Sequence, residues 1–245
     1  MKHTLIMRKI GLQLFYKAIK EYQEKKSLNL ATKIQNRYYQ KILQNYHKWK
    51  NCPIPKNPII GGIDLSFPKK TDDLIIAGIV IIDLNLNILE KKFIITKTEF
   101  PYIPGYLSFR ELGAIISLME KITIKPNILC FDGQGIAHPR FLGIATHGGI
   151  LLDIPSIGIG KSKLIGYYKK PEIKKGSKSK LIYQNRQVGW VLRSRTNTKP
   201  IFISPGWKLG MDYLPEFILS LCKYRVPEPT RLAHNFVNEV KKYYL

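Results

Sequence analysis

The sequence predicts an α/β protein: a mixed β-sheet, three antiparallel strands followed by parallel ones, flanked by helices and preceded by an N-terminal helical extension. Three observations carry this. Apolar residues recur at helical spacing through the first 50 positions, three isoleucine- and valine-rich runs follow in quick succession, and helical and strand-like segments then alternate.

Residues 1–50 read as one or two helices, because Leu12, Phe15, Tyr16 and Ile19, then Ile34, Tyr38 and Ile42, fall about one turn apart. Asn51–Pro58, with three prolines, is a connector. Ile59–Phe67, Leu74–Asp83 and Ile88–Thr96 are strands joined by short hairpin connections. Ser108 opens a helix to about Lys121, Ile128–Phe131 is a short buried strand, and Pro139 opens a helix to about Leu152. Ser156–Gly160, Val188–Ser194 and Pro200–Ser204 are further strands, and helices near Met211–Lys223 and Thr230–Tyr243 close the chain. The lysine-rich stretch at 169–180 reads as a solvated loop. Ribonuclease-H-like nucleases share this order of elements.

At 245 residues, with 44% hydrophobic and 23% charged, the chain can bury one sizeable core and is not disordered. Its longest apolar run, Leu74–Ile82, is about half a membrane span. Arg8 and Lys9 interrupt the first apolar stretch, which argues against a signal peptide. Cys52, Cys130 and Cys222, odd in number and scattered, fit free thiols in a reducing cytoplasm. Forty Lys and Arg against 17 Asp and Glu give +23, a field that attracts polyanions, nucleic acid above all. A lysine-rich composition inherited from an AT-rich genome gives the same excess. Its distribution says more. Residues 101–160 balance four basic against four acidic groups, whereas 161–186 hold eight lysines and Arg186 against Glu172 alone. A neutral centre between basic flanks suits an enzyme that grips phosphates around its own carboxylates.

Asp64, in Gly61-Gly62-Ile63-Asp64-Leu65-Ser66-Phe67, falls inside a buried strand, where a carboxylate is costly unless it is paired or binds a cation. The alternative is an aspartate bonded to backbone amides. Asp132 follows Ile-Leu-Cys-Phe and precedes Gly-Gln-Gly, at the strand end where α/β sheets place ligands, although Asp-Gly is also a common turn. Two carboxylates on neighbouring strand ends make a hard oxygen site suited to Mg²⁺. Glu111 matches a helix capping box with Ser108, which by itself accounts for the residue. His138 reads as a proton carrier or a helix-start residue, His147 as a packed core residue, and Lys161 as a surface charge or a phosphate contact. Pro101-Tyr102-Ile103-Pro104-Gly105 is a stiff aromatic segment, either a protrusion able to enter a base stack or a loop tucked against the sheet.

Together these segments resemble endonuclease V, the deoxyinosine 3′-endonuclease family, from about residue 59 to 234. The most specific stretch runs Asp132-Gly-Gln-Gly-Ile-Ala-His-Pro-Arg-Phe-Leu-Gly-Ile-Ala-Thr-His and on through Leu-Leu-Asp-Ile-Pro-Ser-Ile-Gly-Ile-Gly-Lys-Ser. The Pro101–Glu111 segment and Tyr224-Arg-Val-Pro-Glu-Pro-Thr-Arg231 add independent anchors. The resemblance implies a ribonuclease-H-like catalytic domain over 51–245, with Asp64 and Asp132 as metal ligands and Glu111 as the third acidic member. It implies that Pro101, Tyr102, Ile103 and Pro104 form a wedge at the lesion, that Gly133 and Gly135 contact substrate, and that His138 and Lys161 are catalytic. The implied cofactor is Mg²⁺, with Mn²⁺ substituting. The implied partner is double-stranded DNA carrying deoxyinosine or another deaminated base, or single-stranded DNA or RNA, bound by a cytoplasmic monomer with no membrane contact. The cut falls at the second phosphodiester bond 3′ to the lesion and leaves 3′-hydroxyl and 5′-phosphate ends. The rivals are an inosine-specific endoribonuclease, a weakened or non-catalytic inosine-binding protein, and a generic basic nucleic-acid binder. One departure stands out: the family has Ser-x-Gly-His where this chain has Ser204-Pro205-Gly206-Trp207, so an expected site histidine is missing and Trp207 can neither bind metal nor accept a proton.

Overall fold

β-Branched runs flanked by turn residues become one eight-stranded sheet in the order β3-β2-β1-β4-β5-β8-β7-β6. The structure, a computed structural model, describes residues 2–49, 52–68 and 73–244. β1 (Ile60–Ser66), β2 (Leu74–Ile82) and β3 (Ile88–Lys97) form an antiparallel meander. β4 (Ile128–Asp132) pairs parallel to β1, and β5 (Ser156–Gly160) parallel to β4. Parallel pairing stops there. β8 (Ile201–Trp207), β7 (Arg186–Leu192) and β6 (Lys178–Tyr183) complete the sheet antiparallel. The mixed sheet expected from the sequence is therefore present, and its parallel part is the three central strands.

Strand alternation sends residues to two cores. Ile63, Ile79, Leu129 and Phe131 face α1 (Lys2–Lys25), α2 (Asn29–Trp49), α3 (Leu107–Met119) and α4 (Ile144–Leu152). Ile60, Val80, Cys130, Ile157 and Ile159 face α5 (Leu214–Ser220) and the Ala233 face of α6 (Glu228–Tyr244). The N-terminal helices share the first core: Phe15 of α1 stacks on Phe109 of α3 with ring centres 5.5 Å apart, and both rings flank His147. His147 is fully buried, as its sequence context suggested.

Several boundaries differ from expectation. The helix anticipated from Pro139 begins at Ile144, because 139–143 form turns and the Gly143 N–H is bonded to the Gly135 carbonyl. Met211–Lys223 contains only the short α5. The lysine-rich stretch is not all loop, since β6 begins at Lys178. Exposed Lys178 and Lys180 break up the strand's apolar pattern in the sequence, and beyond β7 the strand also meets Tyr167, which exchanges two backbone hydrogen bonds with Ile182. Asn51 of the connector and the β1–β2 connection at 69–72 lie outside the described residues. No helix among the described residues is long and apolar enough to cross a membrane.

Candidate active site

β1 and β4 lie side by side and parallel, with Ile63 opposite Phe131, so Asp64 and Asp132 emerge together at the same strand ends. Both project on the side covered by α6, the face of Gly62 and Cys130. α6 comes very close there: a Cβ on Gly62 would sit 1.9 Å from the Pro229 carbonyl oxygen, and one on Gly78 2.5 Å from Val237. Only glycine lets the helix approach so far. The approach brings in His234, whose Nδ1 is 2.7 Å from Asp64 Oδ2 while Asn238 Nδ2 lies 3.1 Å from its Nε2. One ligand atom each from Asp64, Asp132 and His234 falls within 4.8 Å of the others. Asp64 is buried, and its carboxyl is raised above the ordinary range by burial first and by Asp132 second, against the pull of His234. Two crowded carboxylates beside an imidazole fit a divalent cation better than they fit one another.

Lys161, the first residue after β5, places Nζ 2.5 Å from Asp132 Oδ2. Its backbone is pinned at two successive carbonyls. Arg225 Nη2 donates to the Lys161 carbonyl at 2.8 Å, and Gln134 Nε2 to the Ser162 carbonyl at 3.2 Å. Glu111 enters from α3 on the opposite face of the sheet and is buried. Its carboxyl is pushed up to about 8 by burial, then by Asp64, and to a lesser degree by Asp132. The capping box does not form. α3 starts at Leu107, so Ser108 is already inside the first turn, and its Oγ bonds His147 Nδ1 at 2.9 Å instead of capping. Glu111 is thus a buried acid beside two others, not a capping partner.

His138 is also buried, and burial and Arg140 push its imidazole down to about 4, which leaves it neutral at neutral pH. Its Nδ1 accepts the Arg140 N–H at 3.2 Å. It helps line a cavity of about 250 Å³ together with Tyr102, Ser108, Gly133, Gly143 and Leu164. Gly133 faces that cavity. Gly135 lies beneath it, where a Cβ would strike the Pro205 carbonyl at 2.2 Å and where its N–H donates to Ser204 Oγ. Pro101, Tyr102 and Pro104 are exposed and Ile103 is half-buried, so the segment protrudes and is not tucked away. Tyr102, 63% exposed, stands at the cavity mouth.

Trp207 is not in this site. It pairs with Ser156 at the start of β5, whereas Asp132 lies opposite Ile159 near that strand's other end. It is buried, with Nε1 donating to Asp153 Oδ1 at 3.1 Å and the ammonium of Lys41 from α2 over its ring. The position where a histidine was expected therefore belongs to the packing of the N-terminal helices. A larger cavity of about 670 Å³ beside Trp207, lined by α1, α2 and α4, contains none of the acidic residues of the site.

Sequence reasoning missed His234 and Arg225. Each lies in or beside the quoted Tyr224–Arg231 segment, whose only legible signal was the motif itself. Comparison with known proteins agrees with the geometry. The Endonuclease V family model matches residues 41–235. Endonuclease V of Dictyoglomus thermophilum is 49% identical over 177 residues, 71% of this chain and 76% of the relative. That of Thermosipho melanesiensis is 43% identical over 205 residues, 83% and 88% of the two chains. Among solved structures, Endonuclease V from Bacillus subtilis superposes with a TM-score of 0.80 at 28% identity, covering 91% of this chain and 95% of that one. The fold is shared as well with Ciona intestinalis Endonuclease V in complex with a 24mer DNA containing an inosine followed by a ribo-adenosine, at TM-score 0.68 and 21% identity, covering 83% and 98%. Matched over most of its length by the family model and by relatives above 40% identity, this chain belongs to the Endonuclease V family of DNA-repair nucleases.

Proposed function

We propose that the chain is a magnesium-dependent endonuclease that nicks DNA at the second phosphodiester bond 3′ to a deoxyinosine, leaving 3′-hydroxyl and 5′-phosphate ends. The observation that carries this reading is the meeting of Asp64, Asp132 and His234 at the ends of parallel strands, in a family whose Ciona intestinalis member is seen holding inosine-containing DNA. Residues 51–245 act as the catalytic domain and residues 1–50 as its helical extension, in a cytoplasmic monomer.

The lysines of 161–186 hold the duplex through its phosphates, without regard to sequence. The Pro101–Pro104 loop enters the stack, and the extruded base occupies the cavity beside Tyr102, Gly133 and His138. Extrusion costs less for a mispaired base, which favours hypoxanthine over a paired adenine. Asp64, Asp132 and His234 would hold the cation. When bound, Mg²⁺ supplies Lewis acidity at the scissile phosphate and a more acidic water, with Mn²⁺ able to substitute. Burial and the neighbouring aspartates favour the protonated form of Glu111, and a cation held beside it would favour the carboxylate instead. The Lys161 ammonium offsets charge developing on the phosphate.

The test is a nicking assay on deoxyinosine and unmodified duplexes, with and without Mg²⁺. Nicking confined to the deoxyinosine duplex with Mg²⁺, abolished in Asp132→Asn while lesion binding persists, is the expected result. Equal nicking of both duplexes, or full activity in Asp132→Asn, sinks it. The ribo-adenosine after the inosine in the Ciona intestinalis complex favours one second reading, cleavage of inosine-containing RNA, which the same assay on an RNA strand decides.

A further inference from the structure

The Pro101–Pro104 wedge loop is held at both ends by the N-terminal helices. At its start, the Phe100 ring packs 4.7 Å from Tyr22 of α1. At its end, Pro104-Gly105 forms a tight turn closed by the Tyr106 N–H to the Ile103 carbonyl at 2.9 Å, with Gly105 at φ +82°. Proline followed by a left-handed glycine is the type II pattern, stiff by construction. That turn does not stand alone. Gln35 of α2 donates from Nε2 to the Gly105 carbonyl at 2.7 Å, and Arg140 Nη2 donates to the same oxygen at 2.8 Å. Thr32, one turn earlier on α2, bonds the Tyr106 hydroxyl at 2.7 Å, and the Arg140 guanidinium lies over the Tyr106 ring.

Gln35 is fully buried, and its Oε1 has no hydrogen-bond partner among the described residues. A half-satisfied buried amide costs stability that leucine would not. Its presence is explained by the carbonyl it holds. We propose that the N-terminal helical pair braces the wedge, and that Gln35 is a positioning residue that keeps Tyr102 stiff enough to open paired DNA. A loop that yields under the restoring force of the base stack leaves the lesion paired, whereas a braced one transmits the push.

The inference rests on the proposed nicking activity, and its signature is selective. A brace matters where base pairs must be opened and not where they are already open. Single-turnover nicking is therefore compared for a deoxyinosine in a fully paired duplex and for the same deoxyinosine inside a short bubble of mispaired bases. Gln35→Leu is expected to lose about tenfold on the paired duplex and to stay within about twofold of wild type on the bubble. Thr32→Val is expected to show the same selectivity in weaker form, and it carries the test if Gln35→Leu does not fold by thermal melting. Equal losses on both substrates, or no loss on either, overturn the brace while leaving the nicking activity standing. A wild-type chain inert on both substrates removes the activity and the brace with it.

Discussion

His234 Nδ1 lies 2.7 Å from Asp64 Oδ2, although 170 residues separate them in the chain. The contact exists because α6 lies directly on β1 over Gly62, so a histidine near the middle of the last helix reaches a carboxylate on the first strand. It orients Asp64 and puts a nitrogen donor within reach of both aspartates.

His234→Ala removes that donor and frees Asp64 to rotate. The magnesium concentration for half-maximal nicking should rise about 10- to 100-fold, with binding of the deoxyinosine duplex little changed. A titration superimposable on wild type would remove His234 from the metal site.

Gly62→Ala tests the approach of the helix without touching a functional side chain. The added methyl meets the Pro229 carbonyl, and backbone cannot yield as a side-chain tip can. Destabilisation of roughly 1–3 kcal/mol is expected, together with a weaker magnesium response as His234 is lifted from Asp64. A loss of stability at unchanged magnesium dependence would show that the site tolerates displacement of α6.

Glu111 makes the metal-free protein pH-sensitive in a particular direction. Its folded value of about 8 exceeds its ordinary 4.5. Between those values the unfolded chain gives up a proton that the folded chain keeps, so its stability contribution is whole below about 4.5 and is lost as pH rises through 8. Melting in EDTA should show Glu111→Gln gaining on wild type from pH 5 to pH 8.5, and Mg²⁺ should stabilise wild type more at the higher pH. A constant difference between the two proteins across that range would contradict the buried neutral acid.

Trp207→His restores the residue that the family pattern leads one to expect, yet Trp207 packs under α2 away from the aspartates. The nicking rate should stay near wild type, and stability should fall by roughly 1–3 kcal/mol as a large buried ring is replaced. A marked rise in rate would mean that this position reaches the active site after all.

How much was legible beforehand follows from how local each signal was. Asp64 and Asp132 stood out because a carboxylate ending an apolar run is anomalous within a few residues of sequence, and the parallel pairing of β1 with β4 then set them side by side. The family motifs, being contiguous, were equally legible, and so was the mixed sheet. Glu111 was ambiguous, since Ser108-Phe109-Arg110-Glu111 is a good capping box on paper. A helix beginning two residues earlier than that box requires, with Ser108 turned to His147, removed that reading. Trp207 was misplaced because a motif gives no strand register, and only the pairing of β5 with β8 shows which end it occupies.

The sequence by itself determined the fold class and the family, and it singled out Asp64, Asp132 and the stiff Pro-Tyr-Ile-Pro segment, because hydrophobic period, buried charge and proline stiffness act over a few neighbouring residues. Tertiary structure alone decided that His234 completes the acidic cluster, that Arg225 and Gln134 pin the Lys161 segment, and that Gln35 grips the loop at Gly105. These are contacts between distant segments, and they depend on how closely a helix can approach a glycine and on which residues lie opposite one another across a sheet. Neither quantity is written in any local stretch of the chain.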